Sequence, residues 1–575
     1  MPISNWTKLL HCKSQFSDIF PYFPLLAVWA LKSPAIHLIR SRLPQLGKRS
    51  FSLQPAIYVT NLQSVKKFYL TTAIDYANGS PHIGHAYEKI LADTIIRFKR
   101  LEGIECYFLT GLDEHGQKVA ETAQKQSTLP QALCNRVADD FKNLCARLAV
   151  NYDDYIRTTE ERHKVVVREV LQKLHDGGEI YRAEYAGLYS TRAERFVQEK
   201  DKIDGRWPDD IGEPIELKET NYFFRLSHYQ GWLVDFLNKN QDFVVPAFRQ
   251  KQVLEFLKEP INDLCISRPK SRLSWGIELP FDSEYVTYVW FDALVNYISA
   301  AGYGENRFED YWPADYHIVG KDILVPAHSV YWPIMLHALE IPQPKHLFAH
   351  GWWLAKGGEK MSKSLGNSVQ PLDYVDLYGA DAFRFFLLRE MIAGQDGNFS
   401  HDLFVSRYNG DLANDLGNLI SRLTNMVGRY CSGKIPAPAT EESLDQDIQE
   451  SAQRLIQSVR MEYGKFAFHM GLEQIFDFVG RLNRYIEMRA PWQLAKQGDN
   501  SSVKLLNTTL SFVAKGVHIV AELLRPIMPK ICVEILHRLG ATITDTWENL
   551  SWATSLVGNE ILSGEILFPK VEWGE

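Results

Sequence analysis

FYLTTAIDYANGSPHIGHAYEKILAD, Phe68 to Asp93, is the stretch from which the organisation of the chain can be read. Its first six residues mix aromatic, aliphatic and β-branched side chains, as a short buried strand does, and Asn78-Gly79-Ser80-Pro81 reads as a turn. The spacing of Ile83, Tyr87, Ile90, Leu91 and Ile95 predicts a helix after it, with Ser80 as N-cap and Pro81 at the first helical position. His82 and His85 are then expected on the first turn of a helix that follows a strand, where unpaired backbone N–H groups and the helix dipole favour an anion. Gly84 between them carries no Cβ, so a ligand can come close to the backbone. Taken singly, a histidine at such a position more often caps the helix or sits at the surface. From average usage the tetrapeptide His-Ile-Gly-His should arise by chance in roughly one chain in a thousand of this length.

A second stretch has the same character. In AKGGEKMSKSLGN, Ala355 to Asn367, Gly357 and Gly358 make a mobile turn, and Lys360 and Lys363 offer point charges beside the Ser362 and Ser364 hydroxyls. A solvated basic loop is the ordinary fate of such a lysine pair. Lys360 to Ser364, KMSKS, is rarer by chance than the first motif, at roughly a few chains in ten thousand. Finding both in this order makes coincidence a poor account.

Together these residues resemble the two signatures of the class I aminoacyl-tRNA synthetases, HIGH at His82 to His85 and KMSKS at Lys360 to Ser364. The resemblance implies an α/β fold: a Rossmann-type doubly wound parallel sheet with a small inserted connective domain, followed by an all-α helix bundle. It also implies an enzyme that activates an amino acid with Mg2+ and ATP and passes it to tRNA.

At 575 residues, two to four domains are expected. A net charge of −7 and a pI near 6.2 give no global sign of a nucleic-acid partner, so an RNA site must be a local basic patch. Seven cysteines, at 12, 106, 134, 145, 265, 431 and 532, form no C-x-x-C pair, which fits a reducing compartment. From Met1 to Lys67 there are nine Lys or Arg and one acid, Asp18, in a Ser- and Pro-containing stretch. Residues 1–64 read either as an organellar transit peptide or as a translated upstream region before an internal start at Val65, and are expected to be disordered. The apolar run from Ile19 to Leu31, broken by Pro21 and Pro24, is too short to span a bilayer. A cytoplasmic protein is expected, with a mitochondrial or plastid matrix as the alternative if the leader is a transit peptide.

Residues 65–185 are expected to form the first half of the catalytic domain. A strand at Cys106 to Thr110 leads to Gly111-Leu112-Asp113-Glu114-His115-Gly116 at the sheet edge where open α/β folds bind ligands. Asp113 there is either the partner of a substrate ammonium or a plain helix N-cap. Helical periodicity runs from Leu129 to Val150 and from Glu160 to Asp176. Residues 186–263 read as the connective insertion, 264–350 as the second half of the catalytic domain, 351–405 as the KMSKS loop and stem-contact region, and 406–575 as a helix bundle.

GLYSTRAERFVQEKD, at the start of the insertion, resembles the metal-binding knuckle of methionyl-tRNA synthetases. Ser190 and Ala193 stand where its cysteines would be, and Trp207-Pro208 replaces the returning Cys-Pro. Zinc needs thiolate or imidazole ligands, so a metal-free knuckle without zinc is expected, held by packing of Tyr189, Phe196 and Trp207.

Resemblance to the same family assigns a methionine pocket. It carries over to Ile74 and Tyr76 in the first stretch, to Trp290, Ala293 and Tyr297 in EYVTYVWFDALVNYIS, which reads as a strand of the resumed sheet running into a helix, and to His328. Aromatic walls suit a flexible, polarisable thioether. Gly320 and Asp322 in HIVGKDILVPAHSVYWP resemble the residues that meet the ribose. Two departures stand out: Leu294 replaces a common proline, and one extra residue separates Asp322 from His328. The distance between the two signatures leaves no room for a large editing domain.

In the bundle, NDLGNLISRL and RYIEMRAPWQLAK resemble anticodon-reading helices. By that match Asn418, Arg422 and Trp492 read the anticodon of tRNA(Met); alternatively, Trp492 plugs the bundle. Arg481, Arg484, Arg489 and Lys496 are expected to supply the local basic patch. The chain stops soon after the bundle, and a monomer is expected.

The reaction implied is attack of the methionine carboxylate on the α-phosphate of Mg-ATP, then transfer of methionine to the terminal adenosine of tRNA. His82, His85, Lys360 and Lys363 would stabilise phosphate charge, with Gly84, Gly320, Asp322 and Ser362 completing the ATP site; Asp113 would hold the ammonium. Two rivals remain open on sequence alone: a neighbouring class I synthetase, for cysteine or a small hydrophobic amino acid, and a catalytically silent tRNA-binding paralogue.

Overall fold

A computed structural model describes residues 67–190, 195–197, 199, 202–203, 205–208, 211–361 and 368–572. The expectations for the leader, Ala193, Ser362 and Lys363, and for the Phe196 side chain, lie outside the described residues. Ser64–Glu575 forms one compact unit.

Seven parallel strands make the central sheet: β1 (Phe68–Thr72), β2 (Asp75–Tyr76), β3 (Cys106–Asp113), β4 (Asp154–Arg157), β5 (Val244–Val245), β6 (Tyr316–Gly320) and β7 (His346–His350). In space they run β4-β3-β1-β6-β7-β5, and β2 continues beyond β1 along β3. The order reverses between β1 and β6, and the carboxyl ends of both strands open into that crevice, where doubly wound sheets bind ligands. The strand expected to stop at Thr110 runs on to Asp113, because β2 and β4 both pair with its carboxyl half.

Helix α1 (Ile83–Leu101) follows the first crevice strand. It starts later than the Ser80-Pro81 signal suggests, because His82 is the N-cap, with extended φ −136° and ψ 178°. An imidazole does the work expected of a serine: His82 Nδ1 accepts the Gly84 N–H at 3.1 Å, and His85 Nδ1 accepts the His82 N–H at 3.1 Å. Ile90, Ile95, Ile96 and Phe98 of α1 are fully buried, packed with the sheet and with the helices after Pro371 in one continuous core.

Two sequence boundaries move. Residue 186 lies inside a strand, Ile180–Ser190, which pairs antiparallel with Ile215–Phe224 to open the inserted sheet, while Val244–Val245 of the same segment returns to the central sheet beside β7. The strand before Trp290, Asp282–Thr287, joins a separate antiparallel sheet with Ser267–Pro269 and Glu278–Leu279. Side-chain alternation identifies a strand but not the sheet that hydrogen-bonds it.

The carboxyl-terminal region is helical, with Ser443–Gly464, Phe468–Arg489 and Asn500–Leu524 as its long members. It is joined to the α/β part through Arg384 on the buried helix Ala380–Glu390. This fully buried guanidinium pairs with Asp93 of α1 at 2.7 Å and donates to the carbonyls of Leu148 (3.2 Å), Pro526 (3.1 Å) and Ile527 (2.7 Å). Among the described residues no helix is long and apolar enough to cross a membrane. Arg384→Met leaves Asp93 and three carbonyls short of a buried donor, and should lower the urea midpoint of unfolding by the equivalent of about 3–5 kcal/mol, read by circular dichroism; an unchanged midpoint would show that the joint is held by apolar packing alone.

Candidate active site

The crevice at the strand reversal is a cleft of about 920 Å³. Its walls carry Ile74, Tyr76, His82, Gly84, His85, Asp113, Trp290, Ala293, Tyr297, Gly320, Asp322, His328 and Lys360, so five separate segments of the sequence reading meet in one cavity. Ile74, Asp113 and Gly320 stand at or just past the carboxyl ends of β1, β3 and β6.

The two signature histidines are fixed by their own backbone. Because Nδ1 of each accepts a main-chain N–H, Nε2 of each is the nitrogen that carries the proton. The rings stack at 3.7 Å, His82 exposed and His85 half-buried. A Cβ on Gly84 would lie 3.0 Å from the His82 ring, so glycine is what lets that ring fold back over the helix start.

Below them, Lys89 is buried and charged. Its Nζ reaches Thr72 Oγ1 (3.1 Å), the Ala73 carbonyl (3.1 Å), Asp75 (3.0 Å) and Glu88 (3.0 Å), tying the end of β1 to β2 and α1. Glu88 Oε2 also meets His350 Nε2 at 3.1 Å, and His350 Nδ1 meets the Gly351 carbonyl at 2.8 Å. Both nitrogens of His350 thus face acceptors, the arrangement of an imidazolium.

Asp113 ends β3 and is no N-cap, since Gly116 occupies that position for the next helix, Gln117–Lys125. The segment that follows is anchored on both sides. Glu114 pairs with Arg157 and Thr159, and its N–H donates to Thr158 Oγ1 at 3.0 Å; His115 Nδ1 meets Asp292 Oδ2 at 2.6 Å. Trp290 and Ala293 lie on the helix Val289–Leu294, and Tyr297 lies on the next, Asn296–Ala301.

Between Asp322 and His328 the chain leaves helical geometry at Val325 (φ −114°, ψ 126°), within the π-type turn Leu324–Tyr331. His328 faces the cleft. Its Nδ1–H donates to the Ile323 carbonyl at 2.8 Å, and its Nε2 accepts from the Tyr297 hydroxyl at 2.7 Å. Burial pushes its pKa down to about 4, so the ring is neutral. A Cβ on Gly320 would come within 2.5 Å of Asp322 Oδ1, so a larger residue there would displace that carboxylate.

On the far wall Trp352 donates through Nε1 to Asp322 Oδ1 at 3.1 Å, and the ammonium groups of Lys321 and Lys360 lie 4.2 and 4.3 Å from its ring centre. Gly357 and Gly358 turn with positive φ, 93° and 84°, between Leu354 and Lys360, which bridge antiparallel.

In the knuckle, Tyr189 is buried with the guanidinium groups of Arg268 and Arg272 at 5.3 and 4.6 Å from its ring centre, while Trp207 is only half-buried under the Lys202 ammonium. Ser190 donates to the Ile211 carbonyl. Among the described residues no three His, Cys, Asp or Glu side chains are grouped to hold a metal ion. In the bundle, Trp492 is 39% exposed and so is no plug; Arg422 lies 5.6 Å from its ring centre and pairs with Glu487, and Asn418 is exposed on the same helix, Asn418–Tyr430. Arg489 leaves the expected basic patch: it is buried against Glu442 and Asp445, and Arg481, Arg484 and Lys496 remain exposed.

Against known proteins, residues 68–211 and 210–424 match the family model "tRNA synthetases class I (M)", and residues 445–562 match "Anticodon-binding domain of tRNA ligase". A methionine–tRNA ligase of Caldanaerobacter subterraneus subsp. tengcongensis is 43% identical over 512 residues, 88% of this chain and 79% of the relative. The chain belongs to the methionine–tRNA ligase family. A Deinococcus radiodurans methionine–tRNA ligase is 42% identical over 88% of this chain and 75% of its own length. The solved structure of Mycobacterium tuberculosis methionyl-tRNA synthetase in complex with methionyl-adenylate superposes with a TM-score of 0.83 at 39% identity, covering 88% of this chain and all of that one.

The reaction is that of the methionine–tRNA ligases: L-methionine and ATP give methionyl-adenylate and pyrophosphate, and methionine passes to the terminal adenosine of tRNA(Met). The sequence reading of this ligase missed Glu88, Lys89, His350 and Trp352. His350 alone carried a usable signal, as the last residue of a sheet strand; Lys89 falls on the buried side of α1, where helical spacing favours an apolar residue.

Burial by itself would lower the pKa of His350, but the Glu88 carboxylate outweighs it and holds the value above the usual one. A histidine raised in the folded state contributes its full stabilisation below its unfolded pKa of about 6.5 and loses it as pH rises through the folded value. The thermal midpoint should accordingly decline on the alkaline side of pH ~6.5, and His350→Gln should flatten that decline. An equally steep decline in the variant would rule out the imidazolium.

Proposed function

We propose that the cleft binds methionine and Mg-ATP end to end, with the residues of the sequence reading in the roles given there. The carrying observation is that His82, His85, Asp113, Trp290, Asp322 and Lys360, drawn from segments far apart in sequence, line a single cavity at the strand reversal. His82 and His85 present Nε2–H to the phosphates, where charge builds as the carboxylate attacks, and the start of α1 adds its dipole. Lys360 and Lys363 close over the β- and γ-phosphates, with Gly84, Gly320 and Ser362 at the nucleotide. Asp322, oriented by Trp352, takes the ribose hydroxyls. Asp113 takes the ammonium, and Ile74, Tyr76, Trp290, Ala293, Tyr297 and neutral His328 surround the thioether.

No protein side chain becomes covalently attached. The rate comes from positioning two substrates and from donors already aimed at the reacting phosphate. The sequence of the knuckle supports an enzyme that needs no zinc, since Ser190 offers a hydroxyl where a thiolate ligand would be required. The domain division follows from this reading: a catalytic α/β unit interrupted by the inserted sheet, a stem-contact region over 351–405, and anticodon reading by Asn418, Arg422 and Trp492 in the bundle from 406. A monomer working in the cytoplasm is the assignment we favour.

Methionine-dependent ATP–pyrophosphate exchange by EDTA-treated protein tests this assignment, with cysteine, leucine, isoleucine and valine as controls. Exchange with methionine alone is expected; Lys360→Ala should lose about 100-fold in kcat while equilibrium methionine binding is kept. Loss of exchange on chelation, restored by zinc, would overturn the zinc-free reading. For the bundle, Trp492→Ala should raise KM for tRNA(Met) roughly tenfold, the worth of one stacked base, and leave pyrophosphate exchange unchanged; equal loss in both assays would place Trp492 in the fold and not in recognition.

A further inference from the structure

Behind the pocket wall, and lining no part of the cleft, three ionisable side chains meet out of water. Asp292 and His163 are fully buried and His115 is 4% exposed. Asp292 Oδ2 lies 2.6 Å from His115 Nδ1, and its Oδ1 lies 2.6 Å from His163 Nε2. The other nitrogen of His163, Nδ1, is 3.1 Å from Ser299 Oγ, which also lies 2.9 Å from the Val295 carbonyl oxygen.

A carboxylate only accepts, so His163 Nε2–H and His115 Nδ1–H both donate to Asp292, and the remaining nitrogen of His163 shares a hydrogen bond with the Ser299 hydroxyl. Burial would raise the pKa of Asp292, but His115 and His163 outweigh it and hold the group below the usual carboxylate value.

Their positions in the chain give the cluster a use. Asp292 is the neighbour of Ala293 and stands two residues from Trp290; His115 stands two residues from Asp113; His163 belongs to a third element, the helix Glu161–Asp176, and Ser299 to the helix that carries Tyr297. We propose that His163 and Asp292 are positioning residues for the amino-acid substrate: the His163–Asp292–His115 bridge sets the distance between the helix bearing Trp290 and Ala293 and the segment bearing Asp113. The proposal rests on the assignment of those three residues to the methionine pocket.

A side chain that sets one subsite should act on methionine and spare ATP, whereas a merely structural one would lower stability and affect both substrates or neither. The test is titration calorimetry with methionine and with ATP separately, together with pyrophosphate-exchange kinetics, on the full chain. His163→Phe keeps a ring and removes both ring nitrogens; methionine Kd and KM should rise roughly tenfold, with KM for ATP and kcat within about twofold. His163→Gln, whose amide can still donate to Asp292, should recover most of that loss. Ser299→Ala, a small change with little risk to folding, should weaken methionine about threefold in the same sense.

Equal weakening of methionine and ATP, or unchanged methionine binding in folded His163→Phe, would overturn the proposal. Should that variant fail to fold, unchanged methionine binding in Ser299→Ala would overturn it alone. Asp113→Asn, measured in parallel, separates the two levels. If it loses methionine binding while the His163 and Ser299 variants do not, the bridge is refuted and the pocket stands; if it also binds normally, the pocket assignment itself fails.

Discussion

Arg384 is the point at which the catalytic and helical parts become one body. A guanidinium taken wholly out of water is costly unless every donor finds a partner and its charge a counter-ion. Here Asp93 supplies the charge from the middle of α1, and the carbonyls of Leu148, Pro526 and Ile527 supply acceptors from either side of the joint. Those carbonyls end elements that could not hydrogen-bond one another directly. α1 thus carries the signature histidines at one end and the joint near its middle, so the crevice and the bundle share one helix as a common reference.

The same logic recurs beneath the crevice. Lys89 and His350 are cations in places where apolar residues would pack, Lys89 satisfied by groups from β1, β2 and α1, and His350 by Glu88 of α1 and the Gly351 carbonyl. Polar groups buried in this way impose geometry, because a displacement leaves a donor or acceptor unmet where a methyl group would only slide. The Lys89 cluster fixes β1, β2 and α1 to one another, and Glu88 passes that constraint to His350 on the strand that leads toward Lys360. The two signature segments are about 275 residues apart by their numbers, and the Glu88–His350 contact links the first of them to the strand that precedes the second.

The root of the knuckle packs on an aromatic ring. In this chain the tyrosine at its root is flanked by two arginines, one of them buried, and cation–π contact on a desolvated ring is worth most in such a setting.

What the sequence by itself determined was the chemistry and its location. Motifs such as HIGH and KMSKS are legible because phosphate chemistry needs particular residue types at fixed local spacing, and strand and helix periods place them on a doubly wound sheet. Asp113, Trp290, Asp322 and His328 were singled out for a related reason, each sitting within a few residues of a sheet edge or a resembled motif, and all four line the cleft. Tertiary structure decided whatever depends on which distant segment supplies the partner. It made His82 the cap in place of Ser80, since an imidazole happens to reach the Gly84 N–H; it moved Arg489 from the surface into a pocket of two acids; it assigned the strand before Trp290 to a sheet of its own. The partners of Arg384 and His163 lie in segments that no local pattern connects. Hydrogen-bond pairing over such separations leaves no period in the sequence, and burial of a charge can be inferred only once its counter-charge is seen beside it.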